Sequence, residues 1–70
     1  MTDTIEIMLN GEPRRVPAGG TLDDLLRHLE LDARMVVVEH NRGIVRRPRL
    51  GEVAVAAGDA IELVHFVGGG

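Results

Sequence analysis

The 70-residue chain has no cysteine, tryptophan, tyrosine or lysine, and its one residue among Phe, Trp and Tyr is Phe66. Without cysteine it can form no disulfide and offers no thiolate as a nucleophile or metal ligand. No apolar run is long enough to cross a bilayer, and no charged-then-apolar signal segment follows Met1. We therefore expect a cytoplasmic protein with no membrane partner.

The charge balance is acidic, with eight basic residues, all of them arginine, against eleven Asp and Glu. A net charge of −3, together with the lack of Trp and Tyr for base stacking, argues against a nucleic acid as the main partner. Without lysine, the side chains cannot accept isopeptide bonds. Seventy residues make one small domain, which we place at residues 1–67, followed by a flexible glycine tail at 68–70.

The first segment reads as a hairpin. In residues 4–9, Ile5, Ile7 and Leu9 fall on one face and the other three residues on the opposite face, which is the period of a half-buried strand. Asn10-Gly11 is a strong hairpin turn signal because both residues tolerate positive φ. A second strand should return through residues 14–16. Pro13 lacks a ladder donor, so that strand should either lie at an edge or start after Pro13.

One convincing helix follows, beginning at Thr21, whose hydroxyl can cap the backbone N–H of Asp24. It should end near Leu29 or Glu30. Its apolar stripe, at i, i+3, i+4 and i+7, should form about half of the core; the stripe is Leu22, Leu25, Leu26 and Leu29.

The second half of the chain is read as shorter strands. Met35 to Val38 is continuously apolar, which is expected of a central strand covered on both faces or nearly so. Ile44-Val45 should start a short strand. Residues 46–49 should end that strand. The remaining predictions are an irregular or short-strand segment at 50–55, a turn at 57–59 and a last strand at 60–67.

This order of strand, strand, helix, strand, short strand, strand predicts an α+β protein with the ubiquitin-like, β-grasp fold. We expect a mixed sheet of four to five strands with one main helix packed on one face. The first and last strands should be adjacent and parallel at the centre. The other face of the sheet is left to solvent or a partner.

The chain ends in Gly68-Gly69-Gly70, directly after the apolar last strand. Three extended residues reach roughly 10 Å, and a thread without side chains can enter a narrow active site of another protein. The alternative is an inert or added end. In the last strand, Val64 and Phe66 should face away from the helix, so we predict a partner-docking site at Val64, Phe66 and Val67.

These features resemble the ThiS family, the sulfur carrier proteins of thiazole formation in thiamine biosynthesis. The resemblance rests on the order of several short motifs over nearly the whole chain. They are the strand before Asn10-Gly11, the approach 17–22 to the helix, the strand 36–39, Asn41 followed by 43–45, the Gly58-Asp59 turn and the tail 64–70. The loop 40–43 and the arginine-rich 46–49 depart from the pattern and leave the local structure there open.

The resemblance implies a carrier that is not itself an enzyme and has no catalytic residue, metal or cofactor of its own. The carboxylate of Gly70 would be adenylated by a ThiF-type adenylyltransferase using ATP and Mg²⁺. A persulfide donor, such as a cysteine desulfurase, would then convert it to a thiocarboxylate. A thiazole synthase would accept the sulfur. Gly68, Gly69 and Gly70 would thread into the partner active site.

Three further functions fit part of the pattern. The small subunit of molybdopterin synthase, or another thiocarboxylate carrier, would use the same tail with a different acceptor. A protein-conjugating modifier would end in an amide bond to lysine, and a binding module of this fold would have an inert tail. The scattered His28, His40 and His65 favour no metal site. The arginines at 42, 46, 47 and 49 could bind acidic partner residues or a nucleic acid backbone, but they favour a solvated sheet edge.

Overall fold

The computed structural model describes residues 3–66. The described elements are five strands, one α-helix and two 3₁₀ helices. In chain order these are β1 (Thr4–Leu9), β2 (Glu12–Pro17), α1 (Leu22–His28), the first 3₁₀ helix (Ala33–Met35), β3 (Val36–His40), β4 (Gly43–Val45), the second 3₁₀ helix (Arg47–Glu52) and β5 (Ala60–His65).

The five strands form one sheet in the order β2-β1-β5-β3-β4. β1 and β5 are parallel, with Met8 opposite Ala60, and the other three neighbouring pairs are antiparallel. The predicted mixed β-grasp sheet, with its first and last strands adjacent and parallel, is therefore confirmed. β2 lies at an edge, where the Pro13 nitrogen that cannot donate a hydrogen bond is tolerated.

Helix α1 begins with a reciprocal cap. The Thr21 backbone N–H donates to Asp24 Oδ2 at 2.9 Å, and the Asp24 backbone N–H donates to Thr21 Oγ1 at 3.3 Å. The bond from the Thr21 backbone is the main reason that the pKa of Asp24 lies below its usual value. At the other end, the Leu31 and Glu30 N–H groups donate to the Leu26 and Arg27 carbonyls. This pair of hydrogen bonds ends the helix after His28, within two residues of the predicted end.

The core lies between α1 and one sheet face. Ile7 of β1 and Ile61 of β5 are fully buried, as are the helix residues Leu22 and Leu26. Leu29, the fourth residue of the predicted stripe, is only half-buried and packs against the core. The buried apolar set is Ile7, Val16, Leu22, Leu25, Leu26, Val36, Val38, Leu50, Val55 and Ile61.

The predicted central strand at Met35 to Val38 is wrong in two respects. Met35 belongs to the first 3₁₀ helix, because Asp32 Oδ1 accepts the Arg34 backbone N–H at 2.9 Å and turns the chain there. β3 also lies next to the edge strand β4 rather than at the centre, and its Val37 is only half-buried. The central strand is β5.

The segment after β4 also differs from its prediction. Residues 47–52 form the second 3₁₀ helix, with Pro48 in its first turn, where no backbone donor is needed. This turn inserts Leu50 into the core at 1% exposure. Beyond it, residues 53–55 form no named strand, although Ala54 makes an isolated antiparallel bridge with Thr21. The last strand ends at His65, although the Phe66 N–H still donates to the Met35 carbonyl at 2.8 Å.

A polar cluster that the sequence did not predict joins two turns at one end of the sheet. His40 Nε2 lies 2.7 Å from Asp59 Oδ2, and Asn41 Oδ1 accepts the Ala60 backbone N–H at 2.9 Å. Partial burial works to raise the pKa of Asp59. Hydrogen bonds from the Ala56 backbone and from the His40 and Asn41 side chains outweigh that effect, and the pKa is lowered. His40 therefore has a structural partner.

Two hairpins turn through pairs of positive-φ residues. Asn10 and Gly11 have φ of 51° and 82°, and Asn41 and Arg42 have φ of 49° and 75°. Both pairs fit the two-residue type I′ turn, in which the second position favours glycine. Arg42 thus holds a Cβ in a region that L-residues avoid.

We expect Arg42→Gly to be more stable than Arg42→Ala by about 1 kcal/mol, because both remove the arginine side chain and only alanine keeps a Cβ at positive φ. Equilibrium urea unfolding measures the difference. The same pair of substitutions at Arg14, in strand β2, is the control. There glycine should be the less stable variant by roughly 0.5 kcal/mol. An alanine variant at least as stable as glycine at position 42 would contradict the assignment of turn strain.

Candidate functional site

The candidate site is the end of β5 and the sheet face around it. β5 has β1 on one side and β3 on the other, and it leads directly to the tail. Val67 and Gly68, Gly69 and Gly70, which the sequence predicts as docking and threading residues, lie outside the described residues. Val64 and Phe66 are described, and they are 60% and 47% exposed. This exposure agrees with the predicted orientation of the two side chains away from the helix.

The exposed apolar surface extends beyond the predicted pair. Val64 lies opposite Val37 in the β5–β3 ladder, and Ile44, at 69% exposure, lies on β4 opposite Glu39. Val37 and Ile44 are therefore diagonal neighbours on the face away from α1, and both line one shallow groove. We refer to Val37, Ile44, Val64 and Phe66 as the outer patch.

Val37 and Ile44 were missed by sequence reasoning. The alternation within β5 was enough to orient Val64 and Phe66, since the strand is six residues long. β4 has only three residues, too few to show a period, and the apolar run of β3 shows none. Their place beside Val64 depends on the strand register, which links parts of the chain far apart in sequence.

Asn10 forms two hydrogen bonds to β5, the strand whose end is the candidate site. Its backbone N–H donates to the Ile61 carbonyl at 2.9 Å, and its Oδ1 accepts the Leu63 backbone N–H at 2.8 Å. The side chain therefore extends the β1–β5 ladder past the point where β1 turns away. The sequence predicted only the turn-forming role of Asn10, because a contact across 53 positions leaves no local signal.

The charges on the outer face are unevenly placed. Glu39 and Glu62 lie directly opposite each other, an arrangement in which like charges repel. Arg42 lies in the turn before β4, and Arg46 and Arg47 follow the strand, so Ile44 has arginines before and after it along the chain. Carboxylates thus adjoin the outer patch on β3 and β5, and guanidinium groups adjoin it at the β4 edge.

The described residues offer little chemistry of their own. Within residues 3–66, no group of three His, Asp or Glu side chains could hold a metal ion. His28 on α1 and His65 at the end of β5 are exposed, and His40 bonds to Asp59. Over the same range, no helix has both the length and the apolar character of a membrane span. What the described part of the site presents is an exposed apolar surface at the end of β5.

A five-stranded mixed sheet with one covering helix and a tail leaving its central strand defines a protein of the β-grasp, ubiquitin-like class. The ThiS family model matches residues 7–70. The chain belongs to the ThiS family.

Individual relatives agree with this assignment. The chain is 47% identical over 51 residues to the sulfur carrier protein ThiS of Bacillus subtilis, covering 73% of this chain and 77% of that one. A crystal structure of the thiamine biosynthesis protein ThiS from Geobacter metallireducens superposes with a TM-score of 0.80 at 32% identity. It covers 94% of this chain and 100% of the other.

Two further relatives are much longer than this chain. It is 46% identical over 66 residues to a thiazole synthase of Magnetococcus marinus, covering 94% of this chain and 20% of the synthase. A thiazole synthase of Paramagnetospirillum magneticum matches at 42% identity with the same coverage. The chain thus spans about a fifth of the length of these relatives.

We expect Asn10→Gly to loosen the end of β5 selectively. Glycine keeps the positive φ of the turn but removes the oxygen that accepts the Leu63 N–H, so unfolding should cost about 1 kcal/mol less. Native-state hydrogen exchange at the Leu63 amide should be faster by a larger factor than at the Ile7 amide. Asn10→Asp, which keeps an acceptor oxygen, is the control and should preserve protection. Equal protection of Leu63 in both variants would contradict the anchoring role of Asn10.

Proposed function

We propose that the carboxylate of Gly70 carries the sulfur. The observation that supports this most strongly is the ThiS match, which runs to the last glycine. The fold adds that the chain approaches its tail from the central strand of the sheet, beside an exposed apolar patch. A partner that binds the outer patch is thus next to the start of the tail.

The chemistry requires activation because a carboxylate is a poor electrophile. In the proposed cycle, a Gly70 carboxylate oxygen attacks the α-phosphorus of ATP, and pyrophosphate leaves. The terminal sulfur of a persulfide then attacks the acyl carbon and displaces AMP. A second thiol then attacks the donor-side sulfur of the resulting acyl disulfide. The S–S bond breaks, the thiocarboxylate leaves, and the donor sulfur and the thiol sulfur are joined as a disulfide. ATP and Mg²⁺ belong to the adenylating partner.

This chain contributes access and docking. Gly68, Gly69 and Gly70 have no Cβ, so the tail can pass through a narrow channel and present its acyl carbon without steric hindrance. The outer patch supplies binding energy at a distance from the reacting atoms. The carrier acts as a co-substrate of its partners and needs no general base or metal of its own.

The proposed partners are a ThiF-type adenylyltransferase, a persulfide donor such as a cysteine desulfurase, and a thiazole synthase. The thiazole synthase has specific support. In the Magnetococcus marinus relative, a segment similar to this chain is part of a protein named thiazole synthase. Because the cycle consumes ATP and uses reduced thiols, we place it in the cytoplasm.

Alanine in the tail should block loading without affecting the fold. We expect Gly69→Ala and Gly70→Ala to have wild-type unfolding free energies but at least about tenfold slower sulfur loading, because a Cβ narrows the fit near the reacting carbon. Intact-mass spectrometry detects the replacement of one oxygen by sulfur, and fragmentation assigns it to residue 70. The reaction contains the adenylating enzyme, ATP, Mg²⁺ and a persulfide donor.

The control for the tail variants is Gly51→Ala. A Cβ at this exposed glycine meets nothing closer than Asp23 Oδ2 at 3.5 Å, an ordinary contact. Loading of this variant should match the wild type. Wild-type rates for Gly69→Ala and Gly70→Ala would refute the narrow channel, and an unmodified wild-type carboxylate under these conditions would refute the carrier function itself.

Phe66 should contribute to docking rather than to stability. We expect Phe66→Ala to weaken binding to the adenylating partner about tenfold, because a half-exposed aromatic in a contact surface loses its buried area on truncation. Met8→Ala is the control: Met8 is 38% exposed on the same sheet face but pairs with Ala60, at the opposite end of β5. Calorimetric titration of both variants gives the affinities. Equal losses would show that Phe66 has no specific docking role.

A further inference from the structure

The charge of this protein is segregated along the fold. Residues 32–52 hold five arginines and three carboxylates, whereas the rest of the chain holds three arginines and eight carboxylates. The arginine-rich part includes β4, which is one edge of the sheet, and the second 3₁₀ helix that follows it. An acidic protein thus presents a basic edge.

Not all of these arginines are neutralised by a neighbour. Arg34 makes a bidentate contact with Asp32, the shorter distance being 2.8 Å, and Arg49 Nε lies 3.0 Å from Glu52 Oε1. Arg42, Arg46 and Arg47 have no ion pair and no side-chain hydrogen bond with any other residue between 3 and 66. We call these three residues the arginine edge.

The arginine edge adjoins the outer patch. Extending the β3–β4 register by one residue beyond Val38 and Val45 puts Arg46 opposite Val37, which in turn is opposite Val64. Arg46, Val37 and Val64 thus form a row across three strands, with its ends about 10 Å apart. Ile44 and Arg46 also line the two shallow grooves that flank β4.

We propose that the arginine edge and Ile44 extend the docking surface, and that they bind an acidic patch on the partner enzyme that adenylates the tail. This inference rests on the proposed function. Long-range attraction between the two charged surfaces would speed encounter. Because the arginine charges lie to one side of the apolar row, this attraction would also fix the orientation in which the start of the tail faces the partner.

Edge protection and nucleic-acid binding each explain fewer features of this surface than docking of an acidic partner does. Arginines alone would protect an edge strand from pairing with another chain, but that role leaves the 69% exposed Ile44 between them unexplained. A nucleic acid would need contacts along a longer basic track and aromatic side chains for its bases. Here the basic edge is short, and the row beginning at Arg46 continues into apolar residues.

The test is the association rate with the adenylating partner. The double variant Arg46→Glu, Arg47→Glu should associate at least about tenfold more slowly at low salt. Its rate should approach that of the wild type as added salt screens the charges. The matched control is Arg14→Glu, Arg15→Glu on the opposite edge strand β2, which has the same net charge and should lose much less. Thermal unfolding checks that both variants are folded.

The outcomes separate this proposal from the proposed function. Equal slowing in the two double variants would show that only net charge matters, and an unchanged rate for the Arg46, Arg47 variant would also overturn the proposal. The proposal would also be overturned if the wild type bound a duplex oligonucleotide, and only the Arg46, Arg47 variant lost that binding while it associated with the partner at an unchanged rate. Sulfur loading is measured in parallel at a saturating concentration of the partner, where it depends on the tail, which all variants share. If the wild type itself were not loaded, the carrier function would be refuted instead.

Discussion

The hydrogen-bonded position of β5 between β1 and β3 is the constraint on which the rest of the structure depends. The last strand of the chain lies in the middle of the sheet, so neither half of the protein has a complete sheet until the end of the chain is in place. Asn10 bonds to β5 on one side, and β3 pairs with it along its length on the other. The tail therefore follows a strand that is hydrogen-bonded to a neighbouring strand on each side.

The two faces of the sheet differ in how much they contribute to stability. The face toward α1 buries its apolar residues against the helix leucines and accounts for the core. Apolar side chains on the other face, such as Val64 and Ile44, remain exposed and gain little from folding. Their free energy of burial is available when a partner covers them. Substitutions there can therefore change binding with little effect on folding, which is what makes the docking hypothesis testable in isolation.

Local patterns were enough to predict the β-grasp fold, and long-range contacts explain what was missed. The alternation in β1, the Thr21 cap and the Asn10-Gly11 turn each act within a few residues, so they are legible in the sequence. The second 3₁₀ helix was not predicted, because its main stabilising event is the insertion of Leu50 into a core built by other segments. The site was predicted in part: Val64 and Phe66 followed from the period of one strand, whereas Ile44 depended on the register of three.

Three glycines cannot distinguish one enzyme from another, because they have no side chains and present only backbone and a carboxylate. A carrier that meets an adenylating enzyme, a sulfur donor and an acceptor must therefore be recognised by its folded surface. The outer patch supplies apolar area, which is weakly directional. Charge placed to one side of it, as at Arg46, distinguishes one docking orientation from its reverse. On the proposed function, selectivity thus depends on the sheet face and its basic edge, while the tail supplies the reacting group.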